Sequence, residues 1–212
     1  MAFWLRGRKG GVSGHLTRIC RPTILGLVAL TIAAAVIIYS PTTIIPPSQP
    51  DDPLVVYVVD YGYHSRLVLP DHQGRLVQYT YGDWQYFALQ HQTVITAVQA
   101  LLFPTLGTLG RRYFADFWAF DQTVGRFDDR RLLAVTVDKA QVDELRSRLD
   151  AWFDNHLDTQ VVHSSSGLHF VRVDQHYTVS HNSNHELVAW LRDLGCQVEG
   201  FVAWPNFQVQ TY

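Results

Sequence analysis

A serine at the start of an amphipathic helix is the first feature of this sequence that could do chemistry. The segment from His181 to Val188 opens a stretch with apolar residues at helical spacing, so Ser183 is predicted at or just before the first turn. Backbone N–H groups there are unsatisfied and carry the positive end of the helix dipole, which favours a developing anion. The position therefore suits a nucleophile with an oxyanion pocket. It equally suits a helix cap, since Ser and Asn are favoured N-cap residues.

A histidine and an aspartate earlier in the chain could complete a catalytic set. His64 lies between two predicted strands, where a neutral imidazole could act as a general base. Asp83 follows Gly82 at the end of a third strand and could orient that imidazole, as the third member of a triad does. The alternatives are a hydrogen-bonded core or rim histidine and a turn-forming aspartate. The sequence leaves both sets of roles open.

The ten histidines raise the question of a metal site. His181 and His185 are close in sequence, and His169 and His176 lie nearby. His181 falls outside the predicted helix, however, and neither an HExxH motif nor a cysteine cluster accompanies these residues. We therefore predict no metal and no cofactor. P-loop, GxGxxG and GxSxG motifs do not occur either, so nucleotide-binding and α/β-hydrolase classes have no support.

Apolar patterning predicts an α+β domain that positions these residues. The strands are predicted at 54–59, 65–69, 75–81, 132–137, 168–173 and 198–203. The helices are predicted at 94–103, 139–155 and 184–194. Asp138 is the expected N-cap of the second helix, and Gly195 ends the third. The helix at 94–103 is expected to lie in the core; the alternative is a lipid-facing helix that borders a lipid-binding groove or touches the bilayer surface.

The N-terminal part of the chain carries the signals of a membrane anchor. Residues 23–40 are apolar and uncharged, and as a helix they span about 25 Å, near the short end for a bilayer core of about 30 Å. Basic residues precede this stretch and no acidic residue occurs before Asp51. The positive-inside rule then predicts a cytoplasmic segment at 1–22 and an extracytoplasmic domain, periplasmic or luminal. A cleaved signal peptide and a buried core helix are the alternatives.

Composition sets further expectations for the rest of the chain. Residues 41–53 are rich in proline and predict an extended, semi-rigid spacer before a domain at 54–212. All charges of the N-terminal segment are basic while the net charge is −2, so this domain is acidic and nucleic acid is not an expected partner. The expected partners are the membrane and an unknown envelope substrate or ligand. Cys20 and Cys196 lie on opposite sides of the predicted membrane span and should not pair.

Several short segments occur in an order that resembles a known family. They are Gly62-Tyr63-His64-Ser65, Val68-Leu69-Pro70, Tyr81-Gly82-Asp83, Asn182-Ser183-Asn184 and Leu194-Gly195. From about Val55 to the C-terminus, the pattern resembles a family of uncharacterised bacterial membrane-anchored proteins first noted near urease gene clusters. That family is similar to the permuted NlpC-type papain-like hydrolases and to the lecithin-retinol acyltransferase group.

The resemblance implies a permuted papain-like α+β domain, with an antiparallel sheet and packed helices, preceded by one N-terminal transmembrane helix. It implies hydrolysis or acyl transfer at an amide, ester or thioester, with His64 as base, Asp83 as orienting residue and position 183 as nucleophile. Candidates for substrate or oxyanion contacts are Asn182, Asn184 and Tyr63. Serine stands at 183 where the family has cysteine, and a serine must lose its proton in concert with attack. The alternatives are a serine-using enzyme and a non-catalytic binding or scaffold module that kept the groove.

Overall fold

The computed structural model describes residues 16–62, 64–124, 132–164, 166–202 and 204–211. The chain forms two compact units, Met1–Tyr39 and Ser40–Tyr212. The described residues of the first form the helix α1 (Leu16–Tyr39), along which large apolar side chains such as Leu25 and Leu30 are exposed. Within the described residues, no helix combines the length and apolar character needed to cross a bilayer. The anchor at 23–40 stays a prediction from the sequence.

The second unit is an α+β fold with two sheets and packed helices. Its strands are β1 (Thr42–Ile45), β2 (Pro53–Asp60), β3 (Ser65–Pro70), β4 (Leu76–Asp83), β5 (Thr105–Phe114), β6 (Leu132–Asp138), β7 (Val161–His163), β8 (Leu168–Tyr177), β9 (Gln197–Glu199) and β10 (Phe207–Val209). Its helices are α2 (Val94–Leu102), α3 (Phe117–Val124), α4 (Lys139–Asp154) and α5 (Ser183–Asp193), with a short π-helix at Trp84–Ala88 and a 3₁₀ turn at Leu157–Thr159.

The large sheet has seven strands in the order β6-β2-β3-β4-β5-β8-β7, and each neighbouring pair is antiparallel. The small sheet is mixed, because β1 runs parallel to β10 and antiparallel to β9. Helices α4 and α5 pack on one side of the large sheet and share its main core. The α+β class expected from the sequence is therefore confirmed.

Local signals in the sequence account for the ends of α4 and α5. The Asp138 carboxylate accepts a hydrogen bond from the N–H of Ala140 at 2.9 Å, as expected of the N-cap of α4. Gly195 follows α5 with a φ of +79°, a left-handed backbone that glycine adopts without a steric penalty. Both predicted helices are confirmed to within about two residues, the usual uncertainty of helix ends.

The structure differs from the spacer predicted at 41–53. Strand β1 lies inside that range and pairs with both β9 and β10, and its Thr42 and Ile44 side chains are buried. The run from Thr42 to Ile45 consists of β-branched residues, which pack well on a pleated surface. The compact unit consequently begins at Ser40, ahead of the expected boundary at residue 54.

Helix α2 is not the buried core helix that was expected. Val94 is 81% exposed, Ile95 70% and Leu102 69%, although the segment is almost entirely apolar. The expectation of a core helix was wrong because these large apolar residues, together with Val98, share one side of the helix and that side is exposed, whereas Ala100 on the opposite side is buried. The alternative of a lipid-facing helix stays a prediction.

The two sides of the large sheet separate the candidate residues. On β3, Leu67 packs toward α4 and α5 in the main core. Val68 points to the opposite side, where it packs with Phe114 and Phe120. We call the side of Leu67 the helix face and the side of Val68 the outer face. Because side chains alternate along a strand, Ser65 lies on the helix face and Arg66 on the outer face.

Candidate functional site

Helix α5 places Ser183 in its first turn, as expected. The N-cap is Asn182, whose side-chain oxygen accepts hydrogen bonds from the N–H groups of Asn184 at 3.0 Å and His185 at 3.3 Å. Ser183 is 5% exposed, and it lies one helical turn before Leu187, which belongs to the main core. The capping role therefore belongs to Asn182, and Ser183 lies buried where α5 packs on β3 and β4.

His64 lies on the outer face. The N–H of Tyr61 donates to the His64 carbonyl at 3.0 Å, which pairs these two residues across the β2–β3 hairpin. Their rings stack with centroids 5.5 Å apart, and the Phe87 ring meets the imidazole edge-on at 5.2 Å. Arg66 Nε donates to His64 Nε2 at 3.3 Å. Burial, with a smaller contribution from the Arg66 charge, lowers the pKa of His64 to about 3, so its ring stays neutral.

The structure does not bring His64 and Ser183 together, because they lie against opposite faces of the large sheet. The reason is the pleat of β3: His64 and Arg66 share the outer face, whereas Ser65 shares the helix face with Leu67. Within the part of the chain that the structure describes, no hydrogen bond or ring contact joins His64 to α5. A general-base role for His64 toward Ser183 has no geometric support.

Asp83 lies on the helix face and serves the turn that follows β4. It is 2% exposed, and its Oδ1 accepts from the N–H of Tyr86 at 2.7 Å, capping the π-helix. The hydrogen bond from the Tyr86 N–H therefore supports the alternative in which Asp83 forms a turn. The Asp83 charge also adds to burial, the larger cause, in raising the pKa of Tyr177 to about 12.

Three buried oxygens on the helix face have no hydrogen-bond partner among the described residues. They are Ser65 Oγ, Asp83 Oδ2 and Asn184 Oδ1. Their residues are 2–3% exposed, so each oxygen is withdrawn from bulk water. Unsatisfied buried oxygens are costly, and they mark this end of the helix face as polar. The remaining predicted contact residue, Tyr63, lies outside the described residues.

A buried carboxylate beside Ser183 was missed by reasoning from the sequence. Glu186 Oε2 lies 3.0 Å from His181 Nε2 and accepts from Gln175 Nε2 at 3.3 Å. Glu186 is 7% exposed, and burial raises its pKa although the neighbouring His181 opposes the shift. Tyr81 meets the His181 ring edge-on at 5.5 Å. The available signal was an acidic residue in the first turn of a predicted helix, a position that the helix dipole favours.

An open groove of about 540 Å³ runs between α4 and α5. Its lining includes the tryptophans Trp152 and Trp190, of which Trp190 is 3% exposed, and polar side chains such as Gln175 and Glu186. Its volume lies in the range of small-molecule sites, which are typically about 300–1,000 Å³. Half of its lining residues are polar or charged, and two of these, Arg148 and Asp193, form an ion pair between the helices. The groove therefore joins the buried Glu186 carboxylate to a surface that a ligand can reach.

Two of the histidines singled out as metal candidates, His185 and His169, contact amide side chains. His185 Nδ1 lies 2.9 Å from Asn182 Oδ1, and His169 Nδ1 lies 2.9 Å from the side-chain nitrogen of Gln160. Among the residues that the structure describes, no group of three or more His, Cys, Asp or Glu side chains is arranged to hold a metal ion.

Comparisons with known proteins returned no match to any protein family, curated protein or solved structure. The family resemblance therefore stays a prediction. What the fold and the site define is an α+β domain with a groove between two helices and a buried carboxylate in its wall.

Proposed function

We propose that the unit Ser40–Tyr212 is a ligand-binding module of the cell envelope, tethered by α1 with the N-terminus in the cytoplasm. The observation that carries the proposal is the groove between α4 and α5. Two tryptophans line it, together with the Glu186 carboxylate, which contacts His181 and Gln175. The exposed apolar side chains of α1 and the basic residues ahead of it support the tether. The ligand is a molecule that carries an apolar, ring-sized group.

The placement of the histidines supports binding over catalysis. His64 lies on the outer face, while His181 and His185 contact Glu186 and Asn182. Ser183 thus has no base within the hydrogen bonds of the described residues. A serine hydroxyl needs such a base for attack, so the site lacks a part that hydrolysis would require.

A soluble aromatic probe tests the groove. Millimolar indole is titrated into the isotope-labelled full chain in lipid nanodiscs, and the indole N–H resonances of the protein's own tryptophans are followed by NMR. We expect saturable shifts at Trp152 and Trp190 and none at Trp204, which is exposed outside the groove. Aromatic packing is the physical reason, since ring pairs prefer offset or edge-on contact.

Two variants in which an alanine is replaced by phenylalanine, one inside and one outside the groove, complete the groove experiment. Ala189 lines the groove and is exposed, so Ala189→Phe should fill it and weaken indole binding by at least about tenfold, the loss that 1.4 kcal/mol represents. Ala140 is exposed on α4 outside the groove, so Ala140→Phe should bind like the parent chain. Equal shifts at Trp204, or unchanged affinity in Ala189→Phe, would refute the groove as a site.

A serine hydrolase or acyltransferase is the second candidate, and the permuted papain-like arrangement belongs with it. Ser183 in the first turn of α5, packed on β3 and β4, favours it. A fluorophosphonate probe on the full chain decides between the two functions. We expect no labelling of Ser183, because no base activates it. Labelling that Ser183→Ala removes and Ser65→Ala retains would replace the binding proposal with the enzyme.

A further inference from the structure

Two arginines of the outer face lie close together around one glutamine. Gln78 on β4 lies directly opposite Arg112 on β5. Arg66 Nη1 donates to Gln78 Oε1 at 3.1 Å, and Gln78 Nε2 donates to the Tyr61 hydroxyl at 3.0 Å. The Arg66 guanidinium lies over the Tyr61 ring, 4.0 Å from its centroid. Arg112 lies on the same face, and its charge is near enough to contribute to lowering the pKa of Arg66.

Neither arginine has an acidic partner among the described residues. Arg66 contacts His64, Gln78 and the Tyr61 side chain. Arg112 donates to the Ser166 carbonyl and, at 3.5 Å, to the Thr123 hydroxyl, and it lies over the Phe114 ring. The other partly buried or ion-paired arginines of the described chain do contact carboxylates: Arg75, Arg111, Arg146 and Arg148. Among the described residues, both of these positive charges thus have only neutral partners.

This arrangement is electrostatically unfavourable without a counter-charge. Burial, and to a smaller extent the nearby charge of Arg112, lowers the pKa of Arg66, and burial also lowers the pKa of Arg112. His64, which accepts from Arg66 Nε, is a neutral ring and supplies no negative charge. Like charges in a partly desolvated site repel, whereas an anion between them would be attracted by both.

We propose that an oxyanion, a phosphate or carboxylate group of a ligand, binds between Arg66 and Arg112. Planar guanidinium groups match these groups with paired N–H donors. Tyr61 and Gln78 hold the Arg66 side chain in place, which lowers the ordering cost of binding. The site lies on the outer face, so its test is independent of the groove between α4 and α5.

The test measures the arginine Nε resonances by NMR, and Tm, for the full chain in nanodiscs. The three conditions are sodium phosphate, sodium acetate and sodium chloride at matched ionic strength. We expect phosphate or acetate to shift the Nε resonances of Arg66 and Arg112 saturably. Chloride should leave these resonances unshifted. At about 100 times Kd the anion should raise Tm by about 5–10 °C. A larger effect of acetate assigns the site to carboxylate ligands and a larger effect of phosphate to phosphate ligands; either supports the site.

Charge-removing variants locate the binding. Arg66→Gln and Arg112→Gln should each weaken anion binding by about 10–100-fold, because each removes charge-assisted hydrogen bonds to the anion. Arg172→Gln, which removes an exposed arginine of β8, should leave the affinity unchanged. The site is overturned if phosphate, acetate and chloride give equal Tm values and unmoved Nε resonances. Those resonances are read on the parent chain, so the test holds even where a variant fails to fold.

Discussion

Replacement of Asp150 by alanine is expected to lower the free energy of unfolding by about 2–4 kcal/mol. Asp150 Oδ1 accepts from the Tyr79 hydroxyl at 2.8 Å and from Arg111 Nη1 at 2.8 Å. Tyr79 is 0% exposed and the Arg111 side chain 13% exposed. The substitution therefore leaves the buried Tyr79 hydroxyl without its hydrogen-bond acceptor. It also removes one of the two carboxylates that pair with the mostly buried Arg111 guanidinium. Urea unfolding of the full chain in mild detergent measures the change.

Asp154 provides the matched control, because it contacts the same arginine from the same helix. Its Oδ1 also lies 2.8 Å from Arg111, at Nη2, but its side chain is 53% exposed. Exposed ion pairs contribute about 0–1 kcal/mol, so Asp154→Ala should cost no more than that, with an unchanged m-value. Equal losses in the Asp150 and Asp154 variants would show that burial does not govern this network.

Acid is expected to destabilise the fold through His64. Its pKa falls from 6.5 to about 3 in the folded chain, chiefly by burial. The unfolded chain therefore binds the proton more strongly, so the stability contributed by neutral His64 is complete above about pH 6.5 and lost as the pH falls toward 3. Between pH 7 and pH 4 this one residue should cost about 3 kcal/mol.

The variant His64→Gln isolates this contribution. Glutamine can still accept from Arg66 Nε but does not titrate, so its unfolding free energy should fall less between pH 7 and pH 4 than that of the parent chain. His91→Gln, at an exposed histidine, should keep the parent's acid dependence. Urea unfolding at both pH values gives the difference. Parallel losses in the parent and His64→Gln chains would contradict the buried, neutral state of His64.

Strand alternation shows how far sequence reasoning could have gone at the candidate site. Leu67 is an apolar residue of the same strand that had to face the core, so Ser65 shares its face and His64 does not. That argument alone separates His64 from a helix packed on the core face. The sequence also sufficed to place Ser183 in the first turn of α5 and to identify Asp138 as a cap, because both are local features.

By itself the sequence determined the α+β class and the positions of α4 and α5, since periodicity and capping act within a few residues. Only the tertiary structure decided which distant residues meet. The pair His181–Glu186, the position of Arg112 opposite Gln78 and the pairing of β1 with β9 depend on strand register and helix packing. The exposure of α2 belongs with them, because an apolar stripe on a helix does not indicate whether the core of the same domain covers it. Local rules fix elements, whereas contacts between distant residues arise only when the whole core is packed.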